Sequence, residues 1–395
     1  MNLAVPYPSP GEQALDLDPL LAAGIAIGAS DLHLTVGCRP SYRVMGELMQ
    51  APPELGAALI DDAWMGRLAA RIASERQREE LTRSGHLDLG YGTPDGERFR
   101  LNLYREQGHL ALAARHLNQS LLSIEGLGLP PHLAEVAKLH SGLVLVTGAT
   151  GSGKSTTLAT LLDLINRTRA AHILTVEDPV EFVHRPQRCV VHHRELGTDV
   201  VSFASAVQAS LREDPDVIMI GEMRDLDTMR AAITAAETGH LVFSTLHTAE
   251  AVGCVERLVG SFPGGEQDVA RHRIGMSLKA VIAQRLLRRA NGRGRVAVVE
   301  ILMVNSAAAN LIEQGKTRQL FSLIESSGAE GMRTMDQSLA QLVNQGVLGK
   351  SEAFGHCKDP NTLERLLDRA ARAAEEAAQQ VAGGARMLAK VRRST

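Results

Sequence analysis

Gly148-Ala149-Thr150-Gly151-Ser152-Gly153-Lys154-Ser155 is the stretch that decides the fold of this 395-residue chain. It matches the pattern GxxxxGK[ST], and it lies between an apolar run, Leu143 to Thr147, and a run of helical spacing that begins at Thr156. A glycine-rich turn between a strand and a helix lets backbone N–H groups converge on phosphate oxygens at the helix N-terminus. Because a chance match rarely has both flanking elements, we expect a P-loop that binds a nucleotide.

The residues of this loop have distinct predicted roles. The backbone from Gly148 to Thr156 would surround the phosphates of ATP. The ammonium group of Lys154 would neutralise the β- and γ-phosphates, and the Ser155 hydroxyl would join the coordination shell of Mg²⁺. The sequence therefore predicts ATP and Mg²⁺ as cofactors.

Two acidic residues follow predicted strands of the same sheet. Glu177 follows Ile173 to Val176, and Glu222 comes one residue after Val217 to Ile220. The carboxyl ends of parallel strands meet at one edge of a sheet, where ligands bind. Since Gly221 stands where an Asp usually ends the metal-binding strand, we expect Glu222 to act on Mg²⁺ through a water and Glu177 to polarise the attacking water. The two roles could be exchanged.

Histidines provide one further candidate. His247 follows a fourth apolar strand and could contact the γ-phosphate, although a single histidine is as often structural. His184, His192 and His193 lack the partners of a tetrahedral metal site, so we interpret them as surface or core histidines.

Arginines near the N-terminus are the remaining candidates for the nucleotide site. Arg98 and Arg100 share one face of a strand, and Arg115 lies in the next strand. An arginine aimed at the γ-phosphate contributes about a thousandfold or more in rate. For each of the three, a solvated strand face is the alternative.

Hydrophobic periodicity predicts the domain organisation. After residue 132, short apolar runs alternate with helical stretches, which predicts an α/β domain with a parallel sheet and helices on both faces. Before it, strands and helices mix, with a strand over Tyr42 to Leu48 and helical spacing over 61–81. The predicted segments are a disordered tail (1–19), an α+β N-terminal domain (20–120), a Gly/Pro-rich linker (121–131), the α/β domain (132–305), a helical region (306–365) and an Ala/Arg-rich helical tail (366–395).

Composition excludes several classes of protein. The formal net charge is −3 and aromatic residues make up 3% of the chain, which opposes a motor that tracks single-stranded nucleic acid. The four cysteines form no CxxC pair, so we expect no zinc module and a reducing compartment. No Lys or Arg precedes Arg39, and the longest apolar run near the N-terminus, Leu20 to Ala29, is about half of a bilayer span. We therefore expect neither a signal peptide nor a transmembrane helix.

Taken together, these motifs resemble those of the type IV pilus retraction ATPases, the PilT-like motors of the secretion ATPase superfamily. The similarity extends from about Gly28 to Gly346. Beside the P-loop, the segments that carry it are Gly28-Ala29-Ser30-Asp31-Leu32-His33-Leu34, an Asp box from Ile173 to Val183, a Walker B region from Leu211 to Asp225, a His box from Gly239 to Thr248, Ala283 to Leu287, and Gly331 to Leu339.

The resemblance implies a fold, a mechanism and partners. A PAS-like N-terminal domain would precede a RecA-like ATPase domain in a homo-hexameric ring, with ATP between the two domains. Hydrolysis would move one domain against the other, driving pilus retraction and twitching motility. The ring would bind an inner-membrane pilus platform protein at the cytoplasmic face of the inner membrane, associating with the membrane only through partners and with no nucleic acid. Glu177 would be the catalytic carboxylate, Glu222 the Walker B acid, and Arg98, Arg100 and Arg115 would approach the phosphates.

One segment departs from the family pattern. The family's retraction signature is similar to AIRNLIRE, whereas Ala308 to Gln314 read AANLIEQ, without either arginine. A related motor for pilus assembly, type II or IVB secretion, or conjugation therefore stays an alternative. Assembly and type II secretion relatives usually have a long N-terminal extension and a four-cysteine zinc module, and we expect neither here. A P-loop nucleic-acid motor is the alternative from another class.

Overall fold

The computed structural model describes residues 16–51 and 59–369, which divide into two compact units. The first unit contains the described residues up to Ser120 together with Glu177–Val183 and Arg194–Val201. The second contains Leu121–Val176, His184–His193 and the described residues from Ser202 onward. The prediction placed 177–183 and 194–201 in the nucleotide-binding domain, so the structure assigns these two segments differently.

The predicted tails, 1–19 and 366–395, lie mostly outside the described residues. Residues 17–19 were expected to be disordered, but they form the first turn of helix α1 (Leu17–Ala26). The Asp16 carboxylate accepts a hydrogen bond from the N–H of Leu17 at 2.7 Å. Pro19 is tolerated because the first N–H groups of a helix have no intrahelical partner. At the other end, residues 366–369 belong to a helical stretch over 360–369.

The first unit is an α+β domain, as predicted. After α1 its elements are β1 (Ala29–Thr35), β2 (Ser41–Val44), β3 (Glu47–Gln50), α2 (Asp62–Ile72), α3 (Glu75–Ser84), β4 (His86–Gly92), β5 (Arg98–Glu106) and β6 (His109–Leu117). The strands form an antiparallel sheet in the order β3-β2-β1-β6-β5-β4. Alternate strand residues such as Leu32, Leu34, Leu101 and Leu103 pack in its core with Trp64 of α2.

Two predicted elements of this unit are each divided in the structure. The expected strand over Tyr42 to Leu48 is interrupted at Met45 and Gly46, whose φ angles of 51° and 91° form a turn between β2 and β3. The expected helical segment over 61–81 is two helices. The first ends at Ile72, and Ser74 begins the second, because its side chain forms a reciprocal capping box with Gln77 at the start of α3.

The second unit is built on a mixed, mainly parallel sheet. Its elements up to the sheet's last strand are β7 (Gly142–Thr147), α4 (Lys154–Thr168), β8 (His172–Glu177), β9 (Val190–Glu195), α5 (Phe203–Ser210), β10 (Val217–Ile220), α6 (Leu226–Glu237), β11 (Leu241–Leu246), α7 (Ala251–Gly260), α8 (Gln267–Ser277), β12 (Leu278–Arg288) and β13 (Arg295–Met303). The strand order is β13-β12-β7-β11-β10-β8-β9. Strands β12, β7, β11, β10 and β8 are parallel, and β13 pairs antiparallel with β12.

Two strands of this sheet, β9 and β12, were not predicted. Strand β9 reads VVHHRE and has no sustained apolar run or alternation. Strand β12 begins at Leu278, directly after the last residue of α8, so no turn residue separates the helix from the strand. Hydrophobic periodicity did not predict this strand, because the method relies on turn residues to mark where one element ends and the next begins.

The segment after residue 305 is helical, as predicted. It contains α9 (Ser306–Glu313), α10 (Leu320–Ser326), α11 (Met335–Asn344), α12 (Lys350–His356) and the stretch over 360–369. Leu339 and Leu363 pack with Leu287 of β12 and Val298 of β13, which joins these helices to the sheet. Within residues 16–51 and 59–369, no helix combines the length and the apolar content needed to cross a bilayer.

Candidate nucleotide site

The P-loop is held between a buried strand and the N-terminus of a helix. All six residues of β7 are buried, and α4 begins at Lys154. Gly148, Gly151 and Gly153 have φ angles of 146°, 77° and 88°, a region that favours glycine. A Cβ atom at Gly148 would lie 2.3 Å from the carbonyl oxygen of Gln284, so a side chain cannot fit at this position. The sequence-predicted turn therefore has the conformation that a phosphate-binding loop requires.

The side chain of Lys154 crosses this loop. Its Nζ donates hydrogen bonds to the carbonyl oxygens of Gly148 at 3.0 Å and Ala149 at 3.1 Å. The residue is 9% exposed, so the ammonium group is held close to the loop backbone rather than in solvent. A cation in this position can neutralise phosphate charge at the helix N-terminus, where the helix dipole also favours anions.

Glu222 and His247 lie together at the same edge of the second unit's sheet. Glu222 follows β10, and its carboxylate contacts the guanidinium group of Arg224 and lies 3.3 Å from Nε2 of His247. His247 follows β11, whose last residue, Leu246, is paired with Thr147 of the P-loop strand. The P-loop, the carboxylate and the imidazole thus all follow the carboxyl ends of adjacent parallel strands.

Two residues that the sequence argument did not single out fix this edge. The Thr147 hydroxyl donates to the Leu246 carbonyl at 3.0 Å and accepts the N–H of Thr248 at 2.8 Å, which joins the loop containing His247 to the P-loop strand. The Gln284 amide, from β12, hydrogen-bonds both the P-loop and α4. A polar residue inside an otherwise apolar strand run is the signal that could have identified either of them.

Glu177 belongs to the first unit, in the segment Glu177–Val183. The residue is 6% exposed, and its Oε2 accepts the backbone N–H of Glu181 at 3.2 Å. The same segment is held by Glu195, whose Oε2 accepts the N–H of Val180 at 3.1 Å. The predicted catalytic carboxylate is therefore a buried group at the end of β8, and it accepts a backbone hydrogen bond from the segment that follows the strand.

The three predicted arginines also belong to the first unit, and each has an acidic partner. Nη2 of Arg98 donates to the Val180 carbonyl at 3.1 Å and lies 3.9 Å from the Glu195 carboxylate. Nε of Arg100 lies 3.3 Å from Asp88 and Nε of Arg115 lies 2.9 Å from Asp31. The side chain of Arg98 is 19% exposed and that of Arg115 is 68% exposed. Arg98 is thus enclosed, whereas Arg115 lies on an open strand face.

The electrostatics of Asp31 follow from this arrangement. Burial raises the pKa of the Asp31 carboxyl, but hydrogen bonds from Ser30 and Arg115 and the positive charge of Arg115 outweigh burial and lower the pKa below its usual value. Asp31 therefore stays ionised and paired with Arg115 at neutral pH.

Histidine side chains form hydrogen bonds between β8 and β9 in the second unit. Nε2 of His172 lies 2.8 Å from Nδ1 of His192, and Nδ1 of His193 lies 2.8 Å from the Thr175 hydroxyl. Nε2 of His193 accepts the backbone N–H of His184 at 3.1 Å. Burial, with a contribution from His193, lowers the pKa of His184 to about 4. These contacts give the histidines structural roles.

The parallel sheet, the P-loop opening α4 and the acid and histidine at adjacent strand ends define the second unit as a RecA-like P-loop nucleotide-binding domain. The family model of the Type II/IV secretion system proteins matches residues 110–355, more than half of the chain, and the chain belongs to this family.

Several members of the family are similar over most of their length. The chain is 41% identical to the Type IV pilus retractation ATPase PilT of Pseudomonas aeruginosa over 88% of this chain and 100% of that protein. It is 44% identical to a twitching motility protein of Neisseria gonorrhoeae over 82% of this chain and 86% of that protein. The crystal structure of the pilus retraction motor PilT with bound ADP matches with a TM-score of 0.81 and 41% identity, over 89% of this chain and 99% of that chain. The predicted resemblance and fold class are confirmed.

Proposed function

We propose that this chain is an ATP-hydrolysing motor that powers type IV pilus retraction and twitching motility. The observation that carries the proposal is the P-loop, with Lys154 across it, at the same sheet edge as the Glu222–His247 pair. The retraction ATPase and the twitching motility protein that this chain resembles are matched over nearly their whole length, so the similarity is not confined to a nucleotide-binding core.

The residues present fit ATP and Mg²⁺. The ammonium group of Lys154 suits the β- and γ-phosphates, and the first turn of α4 supplies backbone N–H donors. The Ser155 hydroxyl and, through a water, the Glu222 carboxylate would hold Mg²⁺, which prefers oxygen ligands. When bound, the metal ion would neutralise charge that develops on the phosphates.

Glu177 and Glu222 would have different roles in ATP hydrolysis. Glu177, buried and oriented by the N–H of Glu181, polarises the attacking water. Glu222 is held by Arg224 and His247, which would keep its carboxylate in position to act on Mg²⁺ through a water. His247 reports the presence of the γ-phosphate through this contact with Glu222.

The arginines differ in what their contacts allow. Arg100 and Arg115 lie on neighbouring strands of an open face and would act on the phosphates by exchanging their carboxylate partners for an anion. Arg98 is enclosed by Val180 and Glu195, so its effect on the phosphates comes through the position of the Glu177 segment.

Membership of the family supports a proposal for the larger assembly. We propose a homo-hexamer at the cytoplasmic face of the inner membrane, bound to a pilus platform protein there, with no nucleic acid. The predicted domains over 20–120 and 132–305 would move against each other as ATP is turned over.

A second candidate is a motor of the same family with another task, in secretion, conjugation or pilus assembly. It is favoured by α9, where the retraction signature lacks both arginines and Glu313 instead lies 3.5 Å from His272.

Pilus counts on a deletion strain separate these functions. Loss of a retraction motor leaves excess pili that do not retract. Bald cells would show an assembly motor, and an unchanged pilus number with lost secretion or DNA transfer would show a secretion or conjugation motor. Either result contradicts the retraction proposal.

A further inference from the structure

Gln284 is a buried polar residue in the strand next to the P-loop strand. It is 3% exposed, and the residue before it, Ala283, is paired with Thr147, the last residue of β7. A buried amide costs free energy unless its donor and acceptor are both satisfied. The contacts of this amide therefore indicate what the residue is for.

The side chain of Gln284 joins the P-loop to the helix that follows it. Its Nε2 donates to the carbonyl oxygen of Ser152 at 2.8 Å, and its Oε1 accepts from the Thr157 hydroxyl at 2.7 Å. The orientation of the amide is fixed, because a backbone carbonyl can only accept a hydrogen bond. One side chain thus holds both ends of the turn that contains Gly153 and Lys154.

We propose that Gln284 is a positioning residue that sets the direction of a phosphate-binding N–H group. In a planar trans peptide the carbonyl and the N–H point in opposite directions. Because Gln284 fixes the Ser152 carbonyl, it also fixes the N–H of Gly153 on the opposite side. Gly153 has a φ of 88° and no side chain to resist a turn of this peptide. Without the amide, the peptide can rotate and present a carbonyl oxygen to the phosphates, which repels an anion.

Gln284 is packed directly against two glycines of the P-loop. A Cβ atom at Gly153 would lie 2.8 Å from Nε2 of Gln284, and one at Gly148 would lie 2.3 Å from the Gln284 carbonyl oxygen. Removing the amide would leave a buried carbonyl without its donor.

Substitution at Gln284 tests the proposal, with binding of a fluorescent ADP analogue and steady-state ATPase kinetics as readouts on the full chain. Gln284→Met has a similar volume and no hydrogen bonds. We expect it to weaken ADP binding and raise KM about tenfold, with a smaller change in kcat. Wild-type ADP affinity in folded Gln284→Met would overturn the proposal.

Gln284→Glu distinguishes a positioning role from a merely structural one through the pH dependence of ADP affinity. An ionised carboxylate cannot donate to the Ser152 carbonyl, whereas a protonated carboxyl can. ADP affinity of this variant, relative to the unsubstituted chain, should therefore be low at pH 8 and recover as the pH falls to 6. A ratio that is independent of pH would contradict the assignment.

Thr157→Val provides a test that does not alter Gln284. It removes the hydroxyl that orients the amide and should weaken ADP binding a few fold. Thr160→Val is the matched control, because Thr160 lies on the same helix and its hydroxyl donates to Leu122 at 3.2 Å. Equal effects of the two variants would contradict the proposal. The inference rests on nucleotide binding at the P-loop, whose own failure would appear as no ADP binding by the unsubstituted chain.

Discussion

The P-loop edge of the second unit and the arginine-bearing strand face of the first unit hold their cations in different ways. Lys154 is buried and bonded to two backbone carbonyls, so its position is set by the loop itself. Arg115 is largely exposed and paired with a carboxylate. Arg115 is exposed but its partner Asp31 is not, so a proposed move of Arg115 to a phosphate would cost the charge pairing that keeps the Asp31 carboxyl ionised. Exposure and the pairing of each cation therefore together separate groups that are fixed in place from groups that can move to a ligand.

Replacing Glu177, the proposed catalytic carboxylate, should produce the largest effect. We expect Glu177→Gln to bind ATP normally and to reduce kcat about a thousandfold, because the amide cannot accept a proton from water. Steady-state ATPase assays and ADP-analogue binding check both parts. Glu181→Gln, in the same segment, is the control and should hydrolyse ATP normally. Unimpaired turnover by Glu177→Gln would show that the role is misassigned.

Removing the cation of the P-loop should have the next largest effect. Lys154→Ala should weaken nucleotide binding about a hundredfold, since the charge that neutralises the phosphates is lost at a buried position. Lys138→Ala serves as control, because Lys138 is exposed and paired with Glu135. Equal nucleotide affinity in the two variants would contradict the P-loop assignment.

The two arginines of the first unit should differ in their effect on stability. Arg98→Ala should lower the free energy of unfolding by about 2–3 kcal/mol, because Glu195 and the Val180 carbonyl lose an enclosed partner. Arg115→Ala should change it by about 1 kcal/mol, because the arginine is exposed and the Ser30 hydroxyl still donates a hydrogen bond to the Asp31 carboxylate. Urea unfolding of both variants measures the difference. Similar values would mean that exposure does not distinguish these residues.

The buried His184 should give the second unit a pH dependence. Its pKa is about 4 in the folded chain and 6.5 in the unfolded chain, because the buried site of the folded chain favours the neutral imidazole. The resulting stability is fully present above pH 6.5 and is lost as the pH falls towards 4, by about 1–2 kcal/mol at pH 5. Urea unfolding at pH 7 and pH 5 tests this. His184→Gln should reduce the dependence, and the exposed His140→Gln should not; identical slopes would refute it.

Local patterns allowed much of the fold and site to be predicted. The P-loop is one continuous segment between two elements, so Lys154 and Ser155 were identified from spacing. Glu222 and His247 follow from the rule that strand ends share one edge of a parallel sheet.

Contacts between distant residues could not be predicted in the same way. The Gln284–Ser152 hydrogen bond joins residues 132 positions apart, and the Thr147–Thr248 contact spans 101. Pairing of this kind depends on strand order, which periodicity does not give. The acidic partners of Arg98 and Arg115 were missed for the same reason. These partners and the exposure of each side chain decide which arginine could reach a phosphate.

Complementation of a deletion strain with Glu177→Gln connects one carboxylate to pilus retraction. Pilus number per cell is measured in strains that carry the unsubstituted chain, Glu177→Gln or Glu181→Gln at equal expression. We expect a normal number with the first and third, and excess pili that do not retract with Glu177→Gln. A normal pilus number with Glu177→Gln would contradict the proposed role of Glu177 in retraction.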